Sequence, residues 1–256
     1  MRRAPLLLIL LAAGCIDFDR VIQPMPGDAD AGSDLAAADA GGCDGVPSGG
    51  DASYVRLQSI GTDAAAPLGQ AMLHLAAPLP AGDALVIAIL LSGGLPTGPV
   101  GATDPSGNVY TIDADVPDGA GNRTLVLSSL RMKPLSSDDI VTVTFPVTQT
   151  YAVRADELSG VSCRDRASGA SGSAVTFASG TITMIQADEL LYAAVGVKDG
   201  TPPVWPAPPW HRFPTAPAEI GNDSLSAAYL VTATPGDYTS SGTTSGTWMA
   251  GLVAFR

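Results

Sequence analysis

Two histidines, three cysteines and thirteen lysines and arginines among 256 residues leave little material for several kinds of chemistry. A serine nucleophile needs a base, usually histidine, within hydrogen-bond reach. His74 lies in the strand-like run Met72-Leu73-His74-Leu75 and reads as a wall or surface residue; His211 sits in a proline-rich loop. No G-x-S-x-G elbow, Walker-type phosphate loop or dinucleotide fingerprint occurs. The cysteines form no C-x-x-C pair, and beside only two histidines they do not supply a structural zinc set. The basic residues face 25 acids, a net charge of −12. That balance argues against nucleic acid, whose phosphates select a basic patch. No apolar run reaches the roughly 20 residues that a membrane-spanning helix needs.

What is present starts at the N-terminus. Met1-Arg2-Arg3, an apolar run from Ala4 to Ala13, and then Gly14-Cys15 form a basic region, a short apolar core and a small-residue boundary. This is the composition of a secretory signal. The stretch Ala12-Ala13-Gly14-Cys15 resembles the lipobox of bacterial lipoproteins, with Ala12 where that family most often has leucine. The resemblance implies a signal peptide over 1–14, with Cys15 as the lipid-carrying mature N-terminus. It also implies outer-membrane or cell-surface placement, since Ile16 is not the aspartate associated with inner-membrane retention; a periplasm-facing domain fits as well. An ordinary signal peptide cleaved at the same bond is the alternative, because Ala12 and Gly14 satisfy the small-x-small rule.

Residues 15–52 follow as a spacer rich in Ala, Gly, Asp and Ser, with eight aspartates and Arg20 as the one base. Such a segment buries too little apolar surface to offset its ordering entropy and is expected to be disordered. As a flexible coil it would span roughly 35 Å, serving as a self-repelling tether or simply as a solubilising stretch. Lipidation of Cys15 resolves the odd cysteine count and leaves Cys43 and Cys163 as the candidate disulfide of an oxidising compartment. Two unpaired thiols are the alternative, because Cys43 sits in a loose Gly-Gly-Cys-Asp-Gly context.

Residues 53–256 are long enough for a domain with its own core. From Val141 to Phe145 apolar residues alternate with threonines, the period of a half-buried strand. Ala84 to Leu91 is an apolar run of eight, the length of a strand buried on both faces. Leu190 to Val197 and Leu225 to Thr232 are similar, although their alanines leave a local helix open. Turn signals such as Asp104-Pro105-Ser106-Gly107-Asn108 and Thr234-Pro235-Gly236-Asp237 separate the runs. Strands are expected near 53–60, 69–76, 83–91, 108–113, 123–132, 139–146, 151–158, 173–183, 188–198, 224–233 and 247–255. The fold class is therefore all-β, an antiparallel, jelly-roll-like β-sandwich. The terminal run Trp248 to Phe255 is apolar on both faces, so it should be a central or covered strand.

A second resemblance rests on Asp104-x-x-Gly107-Asn108-x-Tyr110-Thr111, Glu157-Leu158-Ser159-Gly160, Ala187-Asp188-Glu189-Leu190-Leu191, Trp248 and Val253-Ala254-Phe255-Arg256. Together these look like an uncharacterised β-sandwich module that recurs in secreted bacterial proteins. The resemblance covers most of 53–256, implies the fold, and carries no catalytic residues with it.

Two segments are candidate sites. The acidic loop Asp104 to Asn122 holds Asp104, Asn108, Asp113, Asp115 and Asp118, hard oxygen ligands of the kind calcium requires, although their spacing matches no EF-hand loop. The segment Thr201 to Pro217 interleaves seven prolines with Trp205, Trp210, His211 and Phe213. Stiffened by proline, these rings would form a platform for a carbohydrate or an envelope protein. The competing reading has the loop fold back and plug the end of the sandwich. The expected function is a lipid-anchored, non-enzymatic envelope protein with a binding or structural role. The alternative is a secreted hydrolase acting on polysaccharide through a carboxylate pair, which the sequence does not single out.

Overall fold

The computed structural model describes Cys43 and residues 52–64, 68–94, 97–206, 209–213 and 217–256. The signal segment, Cys15 and the spacer apart from Cys43 and Ala52 lie outside them. Every element among the described residues is a β-strand and every named pairing is antiparallel.

The first half contributes β1 (Ser53–Asp63), β2 (Leu68–His74), β3 (Ala84–Ser92), β4 (Gly101–Thr103), β5 (Thr111–Pro117), β6 (Arg123–Ser129), β7 (Ile140–Thr148) and β8 (Thr150–Ser159). They form a five-stranded sheet, β1-β8-β3-β6-β5, and a three-stranded sheet, β2-β7-β4. The second half contributes β9 (Arg164–Gly172), β10 (Thr176–Met184), β11 (Leu190–Lys198), β12 (His211–Arg212), β13 (Ala218–Ile220), β14 (Asp223–Val231), β15 (Gly236–Thr243) and β16 (Thr247–Phe255). Here β14, β11, β16 and β9 lie side by side, β12 and β13 both pair with the outer edge of β14, and β10 pairs with β15.

Side-chain alternation stacks these sheets into four layers. In β3, Val86, Ala88 and Leu90 meet Tyr192 and Ala194 of β11 and Met249 and Val253 of β16, in the core between the two large sheets. Leu85, Ile87, Ile89 and Leu91 point the other way and pack on Leu73, Val141, Val143 and Phe145 of the small sheet. Burial on both faces is why β3 reads as an unbroken apolar run and β7, with one face in solvent, reads as an alternation. On the far side, Leu191, Ala193, Val195, Leu252 and Ala254 are covered by Phe177, Ile182 and Met184 of β10 together with Trp205 and Trp210. The strand expected to be central at the C-terminus is central: β16 lies between β11 and β9, and Leu252 to Phe255 are fully buried.

The two halves share one topology. The order β1-β8-β3-β6-β5 is repeated as β9-β16-β11-β14 followed by β12 and β13, and β2-β7 is repeated as β10-β15. The counterpart of β4 shrinks to one bridge, Val204 to Thr243 of β15. Local details repeat with it. Gly82 N donates to Met132 O and Met132 N to Asp83 O; likewise Asp188 N donates to Thr232 O and Thr232 N to Glu189 O. Gly82 and Asp188 both take positive φ, 95° and 61°. Gly93 N donates to Asn122 Oδ1 at 3.2 Å, and Asp199 N to Asp223 Oδ1 at 3.1 Å. Between the halves, β3 faces β11, and the other main contacts come in matched pairs: β3 with β14 and β6 with β11, β6 with β16 and β8 with β14, β5 with β9 and β1 with β13, β5 with β16 and β8 with β13. This is the pattern of a local two-fold relation, as across an isologous interface.

The expected antiparallel β-sandwich is thus built as two matched sheet pairs set face to face. The strands missing from the expected set are β4, β9, β12, β13 and β15. They are either very short or, like Arg164-Asp165-Arg166-Ala167-Ser168-Gly169, made of small and charged residues with no apolar alternation.

Candidate functional site

The residues singled out from the sequence go to different places. Trp205 and Trp210 are 3% and 6% exposed, packed under β10 and β15, and the Trp205 indole N–H donates to Ser240 Oγ at 2.8 Å. Phe213, 4% exposed, turns to the other side of its sheet and enters the central core against Tyr54 and Tyr192. Of the four residues only His211 stays at the surface, stacked on Tyr229 with centroids 5.3 Å apart. The rings fold inward, as the competing reading has it, and no exposed aromatic platform forms. Buried between sheet faces, these rings remove more apolar surface from water than exposed ones would.

The calcium set does not converge either. Asp104 accepts from Asn108 N and the Tyr110 hydroxyl, while Asn108 is engaged with the Lys133 backbone. Asp115 is held by Arg123, and Asp118 accepts from Ala120 N and Asn122 N within its own turn. Asp113 points inward, away from the others, into a core-lining position. Asp113 and Asp115 fail to share a face because a bulge between Ile112 and Ala114 breaks the alternation. Among the described residues no group of three or more His, Cys, Asp or Glu side chains is placed to hold a metal ion.

Cys43 and Cys163 are joined in a disulfide with Cα atoms 5.6 Å apart, and Arg256 Nη1 donates to the Cys43 carbonyl. Cys15 lies outside the described residues.

Among the charged arrangements that sequence reasoning missed, two bear on a candidate site. In β8, Arg154 and Asp156 point together into the central core, where the guanidinium donates twice to the carboxylate at 2.7 Å. The Tyr192 hydroxyl adds a third bond to Asp156, and Phe213 lies 4.6 Å beneath the guanidinium. Asp156 holds the Arg154 charge against the penalty of burial, and burial raises the Tyr192 phenol well above its usual range. The alternation Arg154-Ala155-Asp156 was a signal that both would share one face. Each group is satisfied by the other, so the cluster is a closed structural pair.

The second arrangement is open. Asp113 and Arg164 line a cleft of about 360 Å³ beside the disulfide, together with Val109, Thr111, Ser128, Leu130 and Cys163. The Asp113 side chain is 1% exposed. Arg164 Nε stands 3.7 Å from its Oδ1, Arg164 Nη1 donates to the Asp113 carbonyl at 3.0 Å, and Oδ2 has no hydrogen-bond partner. Burial pushes the Asp113 carboxyl up to about 6, against the pull of the Ser128 hydroxyl and Arg164. Such a carboxyl accepts or donates a hydrogen bond near neutral pH. A larger cleft of about 500 Å³ next to Trp205 is walled by Phe177, Val204, Pro206 and small hydroxyl residues, with no charged side chain. The cleft at Asp113 is therefore the candidate site.

The chain matches no family model, no curated protein and no solved structure.

Proposed function

We propose that this chain is a lipid-anchored cell-envelope protein of the outer membrane or cell surface, whose β domain has a binding or structural role and no catalytic one. The observation that carries the reading is the use of the cysteines. Cys43 is tied to Cys163, and the one cysteine left over is Cys15, at the lipobox-like position behind a basic and apolar leader. The acidic spacer is what a tethered domain needs, and the disulfide would shorten its free length to residues 16–42. The test is metabolic labelling of the full chain in a bacterial host with an alkyne-tagged fatty acid. Label should enter the protein and vanish in Cys15→Ala, with the variant leaving the membrane fraction. Equal labelling of both proteins, or of neither, would refute the anchor.

Asp113 is the observation that favours the competing reading, a polysaccharide hydrolase, since a general acid needs a carboxyl titrating near neutrality. Glycoside hydrolysis needs a second carboxylate across the cleft, and the side chains lining this one include no other acid. Binding is the reading that this set of groups supports.

A further inference from the structure

The local two-fold relation allows one corner of the domain to be read against the other. Where β1 meets β12 and β14, rings fill the space between the large sheets. Tyr54 lies 4.5 Å from Phe213 and 5.3 Å from Tyr229, and His211 covers Tyr229. Strand register identifies the matching positions at the opposite corner. Tyr54 is paired with Leu158 as Arg164 is with Phe255. His211 opposes Tyr229 as Thr111 opposes Ser128. Phe213 follows Arg212 where Asp113 follows Ile112. Four ring positions in one half thus become Arg164, Asp113, Ser128 and Thr111 in the other, and there the cleft of about 360 Å³ stays open.

The filled corner shows that this fold can close the gap with apolar side chains. The open corner instead carries a buried carboxylate with an unpartnered oxygen, which destabilises the unliganded protein. We infer that the cleft between β5, β6 and β9 binds a neutral polyhydroxylated ligand, a single sugar ring, through hydroxyl pairs that Asp113 and Arg164 recognise together.

Charge, complementarity and size point to that class. Asp113 and Arg164 stand 3.7 Å apart with opposite charges, so the site as a whole favours neither a cation nor an anion. Side by side they offer an acceptor, Asp113 Oδ2, and a donor, the part of the Arg164 guanidinium not spent on the Asp113 carbonyl. Adjacent hydroxyls on a ring meet both demands, one donating to the carboxylate and the next accepting from the guanidinium. Thr111 and Ser128 add hydroxyls, and Val109, 79% exposed, with Leu130 supplies an apolar wall for the C–H face of a ring. The volume falls at the lower end of small-molecule sites, roughly 300–1,000 Å³.

The test is saturation-transfer NMR on the full chain with the methyl glycosides of glucose, galactose, mannose and N-acetylglucosamine, and with lysine and methyl phosphate as charged probes. At least one glycoside should receive saturation, and neither charged probe should. The signal should fall to background in Ser128→Tyr, which imports the ring found at the filled corner. In Asp113→Asn, which keeps the shape of the site, affinity should fall roughly tenfold or more. Circular dichroism checks that each variant is folded; should Ser128→Tyr fail to fold, Asp113→Asn decides alone. No transfer to any glycoside, transfer unaffected by the variants, or transfer to a charged probe alone overturns the site. The inference rests on the binding role proposed above but not on the anchor. Lost glycoside binding with Cys15 still labelled removes the site, and an unlabelled Cys15 with Asp113-dependent binding removes the anchor.

Discussion

Asp113 shows how much one buried residue can hold. In the unfolded chain it titrates at the ordinary carboxylate value of 3.8; in the folded protein burial moves it to about 6. Between those values the folded state binds the extra proton, so stability is greatest below the lower value and is lost as pH rises through the higher one. Glu189 has the same sign: burial, then the neighbouring Asp165, raises it to about 7 despite Arg256. The urea midpoint of the domain should therefore fall between pH 4 and 7. Asp113→Asn should remove the part of that fall lying between about pH 4 and 6, on the order of 3 kcal/mol for a shift of this size. Parallel pH profiles for the two proteins would show that the Asp113 carboxyl is not held this way. None of this was legible in the string Thr111-Ile112-Asp113-Ala114-Asp115, which suggested acids of a calcium loop; the bulge that turns Asp113 inward has no mark in residue type.

At the scale of elements, legibility followed amphipathicity. The runs that became β3, β7, β11 and β16 were readable because an apolar residue at every position, or at every second one, has few other solutions in a domain of this size. β9 and β15 were not, because Arg164-Asp165-Arg166 and Thr239-Ser240-Ser241 become strands through the neighbours they pair with. The segment from Thr201 to Phe213 was readable as unusual, with an exposed platform and an inward fold both open, and burial of its rings decides for the inward one. Its tryptophans serve as the lid of the outer core, so Trp205→Ala should cost about 3–5 kcal/mol, seen as a lowered melting temperature. A variant with unchanged melting temperature would mean that the indole is not part of that core.

For the whole molecule, the disulfide and the central core do related work. Cys43 precedes the first strand and Cys163 precedes β9, so their bond spans 120 residues and encloses the first half of the domain in one covalent loop. Constraining a loop of that length in the unfolded chain is worth a few kcal/mol. Cys163→Ala should accordingly melt earlier than the parent by an amount corresponding to about 2–5 kcal/mol, and added dithiothreitol should lower the parent to match. A parent insensitive to reductant, with Cys163→Ala equally stable, would show the cross-link to be energetically idle.

By itself the sequence determined the expectation of export and of a cysteine-borne anchor, the all-β class, the position of the most apolar strands, and the scarcity of groups for familiar catalytic chemistry. These are properties of composition and of local period, which operate over fewer than ten residues. Tertiary structure alone decided that there are two matched halves, which of the two readings of the aromatic loop holds, and that Asp113 meets Arg164 across 51 residues of chain. Those outcomes depend on register between strands and on which faces are covered. Both are set by packing between segments that have no local periodicity in common.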